Sequence, residues 1–347
     1  MNTFNERLRQ VLLLAILIVL AVLCIRELSL FMPGLLGAIT LYILSRARYF
    51  QLVFNKKKSR GVVAALYIIY YLVILGIPIT VAVMLVGPKV NAAMENPDAI
   101  ITAAKNAVMQ VQEKLGVGFI SQKSLNTYLE KLSNFIPTIL NSTATIITNL
   151  AVMLFVLYYM LYNGREMEKY LNRIIPLKQE NINTLASGTK KMVKANALGI
   201  PLISIIQGLV AAVGYFIFGV KDWALWGFLT GIFAFLPVVG TMAVWVPLVV
   251  FMYATNGNWQ ATGLFFYSLI ITGNVDYVAR ITLLKKMGDV HPVITILGVI
   301  VGLGLFGFIG LVFGPLLINY VIILFEIYSN EFVENDPVAE STANAPA

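Results

Sequence analysis

The stretch GNVDYVARITLLKKMGDVHPVITILGVIVGLGLFGFIGLVFGPLLINYVIILFEIY, from Gly273 to Tyr328, decides the fold. Its part from Pro292 to Phe325 carries no acidic or basic side chain. As one straight helix that part would run roughly 50 Å, against a hydrocarbon core of about 30 Å, so it must bend, break or turn back. Gly298, Gly302, Gly304, Gly307, Gly310 and Gly314, closed by Pro315, crowd its middle and mark where. Glycine and proline at membrane depth are tolerated where the freed backbone groups are buried in protein or line a cavity.

The composition around this block has one reading. Of 347 residues, 59% are hydrophobic and only 12% charged, about half the charge of an ordinary soluble domain. This is an all-α polytopic membrane protein. The net charge of +8 sits in short loops between apolar runs, which the positive-inside rule explains better than a nucleic-acid partner does. The single cysteine, Cys24, lies in an apolar run and excludes a disulfide framework, a cysteine metal site and a redox pair.

Taken in order, the chain divides into seven parts. Residues 1–60 read as a membrane hairpin and a basic cytoplasmic loop: Val11–Ile25 and Leu28–Leu44 are apolar runs interrupted by Arg26 and Glu27 and flanked by Arg7, Arg9, Arg46, Arg48, Lys56, Lys57, Lys58 and Arg60. The N-terminal run has the shape of a signal peptide but no small-residue cleavage site, so it reads as a retained span. Residues 61–88 form a span ending at Gly87 and Pro88. Residues 89–145 are an extracytoplasmic helical domain of two amphipathic helices, the first capped by Asn96 and Pro97. Residues 146–162 return to the cytoplasm.

Residues 163–196 carry Arg165, Lys169, Arg173, Lys178, Lys190, Lys191 and Lys194 and read as two basic interfacial helices on acidic lipid. Residues 197–328 hold the remaining membrane segments, including the short runs Trp223–Leu236 and Met242–Tyr253 joined through Pro237 and Gly240. Short, Gly/Pro-interrupted segments point to a transport site, and the two broken elements are expected to meet. Residues 329–347 form an acidic tail too polar to build a core, so disorder is expected there. The count is roughly eight to ten membrane segments, with both termini cytoplasmic.

Asp276 and Arg280 stand four apart inside an otherwise uncharged run from Asp222 to Lys285. Ionisable residues within a span are functional candidates, although a pair near the cytoplasmic edge also suits an anchor with Arg280 snorkelling. Gln207, Asn274 and Thr230 are polar groups within spans that could bind substrate, although inter-helix hydrogen bonding is the commoner role for such groups. His291 before Pro292 reads as a loop residue or cap. There is no HExxH zinc motif, no GxSxG nucleophile turn and no Walker A loop, which argues against an enzyme and against transport driven by ATP within this chain. No cofactor is implied.

Gln207-Gly208, FLPVVG at Phe235–Gly240, VDYVAR at Val275–Arg280, KMGDVHP at Lys286–Pro292 and GLGLFGFIGLVFGP at Gly302–Pro315 together resemble the autoinducer-2 exporter family, also called PerM-like permeases. The resemblance implies a multi-pass transporter of the bacterial inner membrane. Some members export the quorum-sensing signal autoinducer-2, others exchange sodium or lithium for protons, and members form homo-oligomers, with a pentamer suggested. Asp276 and Arg280 match the family's Asp-Asn-x-x-Arg-Pro pattern, with Tyr277 standing where Asn is usual and Ile281 where Pro is usual. The resemblance and the residues together lead to one expectation: an ion-coupled exporter of a small polar solute, whose pathway runs past Asp276, Arg280, Gln207, Pro237, Gly240 and Asn274 and hinges on the glycine block. An antiporter with a cation as cargo and a non-transporting membrane scaffold are the alternatives.

Overall fold

The glycine block turns back on itself. The computed structural model of the chain describes residues 2–96, 144–175, 177–235, 240–255, 258–275 and 292–329, with Val278 and scattered positions between 102 and 113. The described residues are helical throughout the membrane segments and contain no strand. Helix α1 is Asn2–Leu28, α2 Met32–Phe50 and α3 Arg60–Glu95; α4 is Ala144–Tyr162, α5 Gly164–Ile174 and α6 Gln179–Ile217. Next come α7 at Trp223–Phe233, α8 at Met242–Thr255 and α9 at Asn258–Tyr267, and the glycine block gives α10 at Pro292–Phe306 and α11 at Gly310–Tyr328.

Five helical segments are long and apolar enough to cross a membrane: Leu8–Asn55, Arg60–Lys89, Ala144–Tyr162, Gln179–Ile217 and Gly310–Tyr328. The shorter apolar helices Trp223–Phe233, Met242–Tyr253 and Ile296–Phe306 join them. Rows of large exposed apolar side chains, such as Leu13, Leu17, Leu66, Ile69 and Val73, cover the outer faces and would be costly in water but not against lipid. The protein is an all-α, multi-pass membrane protein.

Three boundaries differ from the sequence expectation. No reversal occurs at Arg26 and Glu27, which lie inside α1; a short 3-10 turn, Ser29–Phe31, leads into α2 with right-handed dihedrals at Leu28, Phe31 and Met32. Two helices joined through right-handed dihedrals cannot fold back, so residues 8–55 run as one interrupted helix rather than a hairpin. The charged pair was a poor turn signal because Arg and Glu are both good helix formers. Helix α3 likewise continues through Pro78, Gly87 and Pro88 to Glu95, since a proline removes one helical hydrogen bond without forcing a stop. The second of the two interfacial helices is not separate either: residues 179–196 are the first half of α6, which runs on past Pro201 into the membrane.

Two packed groups result. In one, Ala38, Tyr42 and Tyr49 of α2, Val63, Ala64 and Tyr71 of α3, and Leu154, Leu157 and Leu161 of α4 form a buried core. In the other, α6 is the spine. Its first half packs Met192 and Val193 against Phe313 and Leu316 of α11, with Leu36 and Ile43 of α2 alongside. Its second half packs Ala211 and Tyr215 against Trp245, Leu248 and Met252 of α8 and Ala261 and Leu264 of α9. At the far end from the basic loops, Lys89 of α3 pairs with Asp222 at 2.6 Å, just before α7.

Candidate transport site

The α10–α11 hairpin explains the glycines. Gly307 takes φ +58°, a left-handed conformation suited to glycine, and so reverses the chain at the 3-10 turn Gly307–Ile309. The two helices then approach so closely that a Cβ on Gly302 would land on the carbonyl of Gly310, and one on Gly314 on the carbonyl of Gly298. A Cβ on Gly298 would strike the backbone of Pro315. Without a hydrophobic drive between helices in lipid, such backbone contact is the main source of association. Gly304 faces open space and takes no part.

A second close approach lies between α6 and α7. Gly208 stands against Gly227 and Gly231, where an added Cβ would lie 3.0 Å from the Gly227 carbonyl oxygen and 3.1 Å from the Gly231 Cα. Ser204 is one turn before Gly208, and its carbonyl is 3.0 Å from where a Cβ of Gly231 would be. Next to this contact, Tyr215 and Thr230 share a hydroxyl–hydroxyl hydrogen bond of 2.9 Å, and the Thr230 hydroxyl also donates to the Trp226 carbonyl at 2.8 Å.

The opposite wall comes from α9 and its continuation. Phe218 fills the place of a Cβ on Gly263, the Tyr267 ring does the same at Gly214, and the Tyr267 hydroxyl donates to the Val210 carbonyl at 2.8 Å. Advancing from 263 to 267 therefore retreats from 218 to 214 and 210, an antiparallel register. Carried one turn further, it brings the next segment alongside Ser204–Val210. That segment, Ser268–Thr272, is a single π-helical turn, a device that interrupts regular helix bonding and recurs at functional sites.

Four side-chain oxygens on these two facing elements have no protein partner: Ser204 Oγ and Gln207 Oε1 on α6, Ser268 Oγ and Thr272 Oγ1 on the π turn. Gln207, Ser268 and Thr272 are each 1% exposed and Ser204 is 4% exposed. Leaving a buried polar group unpaired costs roughly 1–3 kcal/mol, so four together are not expected of a purely structural interface. All four are oxygens, and oxygens are what a hard cation, a water or a polar solute takes as ligands; the fifth such atom among the described residues, Trp245 Nε1, is a donor on α8.

The expected site residues do not all lie together. Gln207 lies in this cluster. Asn274 is exposed, and its Nδ2 bonds back to the Ile270 carbonyl at 2.6 Å. Gly240 turns the chain between α7 and α8 with φ +40°. Pro237, Asp276, Arg280 and His291 lie outside the described residues, as do most of the extracytoplasmic insert and the tail from 330. Among the described residues the two broken elements share no extended interface; each packs on α6 instead. Ser204, Ser268 and Thr272 were missed from sequence, though Ser268 and Thr272 stand eight and four residues before Asp276, a spacing that marks one helical stripe.

A glycine hairpin and a glycine contact on a common spine, broken apolar segments and buried polar oxygens between them define a polytopic membrane protein with a polar site inside its helix bundle. The profile of the AI-2E family transporter group matches residues 12–330, and the chain belongs to that family. A relative from Aquifex aeolicus (strain VF5) is 24% identical over 212 residues, covering 61% of this chain and 60% of the relative. One from Helicobacter pylori (strain ATCC 700392 / 26695) is 25% identical over 229 residues, covering 63% and 64%. One from Treponema pallidum (strain Nichols) is 30% identical over 173 residues, covering 50% and 42%. Each bears the name "Putative transport protein". The match to this chain spans about two fifths to two thirds of their lengths.

Proposed function

We propose that this protein is a secondary transporter of a bacterial inner membrane, with both termini cytoplasmic, that exports a small polar solute in exchange for an ion. The observation that carries this reading is the set of four unpartnered buried oxygens of Ser204, Gln207, Ser268 and Thr272, two on each of two facing elements. In sequence, the π turn leads directly to Asp276, whose protonation or cation occupancy would couple the solute to the gradient. The α10–α11 hairpin packs on the other half of α6, so a tilt of the hairpin would move the spine that carries Ser204 and Gln207. Autoinducer-2, a small polyhydroxylated solute, is the first cargo to test. The basic loops around Lys56–Arg60 and Arg165–Lys194 support cytoplasmic termini.

The cation-antiport reading has its own support, since a ligand set made only of oxygens suits sodium or lithium. Purified protein in liposomes enclosing a pH-sensitive dye separates the two. A sodium pulse that moves protons in wild type, and fails to in Asp276→Asn, assigns antiport. Autoinducer-2 uptake driven by a proton gradient, lost in Gln207→Leu, assigns solute export. If neither wild-type activity is found, sodium antiport and autoinducer-2 export fall, and export of another polar solute and a membrane scaffold are left, to be separated by uptake of candidate solutes.

A further inference from the structure

At the basic end of the first helix group, two helices begin at the same place. Helix α3 starts at Arg60 and α5 at Gly164, and Arg60, Tyr162, Asn163, Gly164, Arg165 and Glu166 line one recess with the ring of Phe54 behind it. The Arg165 guanidinium carbon is 3.5 Å from the centre of the Phe54 ring, and that of Arg60 is 5.5 Å from it. Ser59 and Asn163 precede the two helices, and neither caps its helix with a side-chain hydrogen bond. The N-cap side chains thus leave the first-turn N–H groups of both helices uncapped at the positive ends of their dipoles, although in α5 the Glu166 N–H already donates to the Asn163 carbonyl at 3.0 Å. Tyr49 fixes the wall, its hydroxyl donating to the Arg60 carbonyl at 3.1 Å.

The charges do not cancel. Among the described residues neither Arg60 nor Arg165 has an acidic partner; the nearby carboxylate of Glu168 is engaged by Arg46 and Tyr42. Glu166 lines the recess and offsets one of its two cations, which leaves the site positive before Lys56, Lys57 and Lys58 on the adjoining turn are counted. Forked guanidinium groups and helix N-termini are the standard ligands of phosphate oxygens.

We infer that this recess binds the phosphate of an anionic phospholipid at the membrane surface. The lipid source is favoured over a soluble phosphate by what flanks the recess. Val62 and Leu66, within two turns of Arg60 on α3, are exposed and apolar, and Tyr158 and Tyr162 stack on each other at 6.1 Å against Gly61. Acyl chains would lie on the former, and tyrosines of this kind collect at headgroup depth. The inference is independent of what the protein transports.

The test is a titration of the thermal midpoint of the detergent-purified full chain with phosphatidylglycerol, phosphatidylcholine and inorganic phosphate. A saturable rise with phosphatidylglycerol, weak with phosphatidylcholine, is expected. In the double variant Arg60→Gln/Arg165→Gln the half-saturation should move at least roughly tenfold, while Arg173→Gln, on the last turn of α5, leaves it in place. A rise with inorganic phosphate that the double variant loses keeps the anion site but assigns it to a soluble phosphate, overturning the lipid. An unmoved half-saturation in the double variant, or an equal loss in Arg173→Gln, overturns the site. Should the double variant not fold, Arg60→Lys/Arg165→Lys keeps both charges and loses the forks; several-fold weaker binding is then expected, and unchanged binding overturns the assignment.

Discussion

Gly302 and Gly310 exclude side chains from each other: a Cβ on either would fall on the carbonyl oxygen of its partner. The relationship is reciprocal because the two helices run antiparallel from the Gly307 turn, so one crossing point serves both. No flexible side chain is there to give way, and the backbones themselves must separate. Gly302→Ala and Gly310→Ala are each expected to destabilise the protein by about 1–3 kcal/mol or more, the cost of overpacking a tight contact. Gly304→Ala, two residues away in open space, should be neutral or stabilising by up to about 1 kcal/mol. Thermal midpoints of the three variants check this, and equal loss in all three would refute the crossing.

That contrast shows how far the sequence could be read. Six glycines and a proline in one apolar block announce a break, and the block does turn back as a hairpin. Which glycines touch is not legible from spacing alone, because Gly302 and Gly304 differ only in the face they occupy. The same limit hid the polar cluster. Gln207 stands out in an apolar span, but Ser268 and Thr272 look like ordinary small span residues until the π turn and the register with α6 place them. The α1–α2 reversal failed for the opposite reason, since a charged pair is visible in sequence but helix formers carry no turn geometry.

Arg46 and Glu168 tie α2 to α5 through two hydrogen bonds, one of them 2.7 Å, with the Tyr42 hydroxyl donating to the same carboxylate at 2.8 Å. Burial alone would raise the pKa of Glu168, but the hydrogen bonds from Arg46 and Tyr42 and the charge of Arg46 outweigh it and hold the group below its ordinary value of 4.5. A carboxylate depressed on folding adds stability above the unfolded pKa and loses it as pH falls through the folded one. The thermal midpoint should therefore fall as pH drops below about 4.5, with a shallower fall in Glu168→Gln. An equally steep fall in that variant would assign the acid sensitivity to other carboxylates.

Asn149 of α4 stands at the joint between α1 and α2. Its Oδ1 accepts from the Gly34 N–H at 3.0 Å, and its Nδ2 donates to the Leu30 carbonyl at 3.2 Å. Both backbone groups lie at the interruption, where regular helix bonding lapses and a partner is needed. Asn149→Leu is expected to cost about 1–3 kcal/mol by leaving them unpaired in an apolar setting. Asn149→Asp keeps the acceptor but not the donor and should fall between wild type and Leu. A Leu variant as stable as wild type would mean that lipid headgroups or water already satisfy the joint.

The buried oxygens make the sharpest demand. A cluster kept for structure and a cluster kept for a ligand respond oppositely to apolar replacement. Removing an unpartnered hydroxyl from a buried site abolishes a desolvation penalty, so Ser268→Ala and Thr272→Val should leave stability unchanged or raise it by about 1 kcal/mol. If Ser204, Gln207, Ser268 and Thr272 hold the cargo or its coupling ion, the same two variants should lose transport roughly tenfold per lost ligand in proteoliposomes. Stability gained while activity is lost is the pattern of a site strained for function. Both quantities are measurable on one preparation, with midpoint and flux read side by side. Unchanged flux with raised stability would remove the π turn from the pathway and leave Asp276, four residues beyond Thr272, to be tested without it.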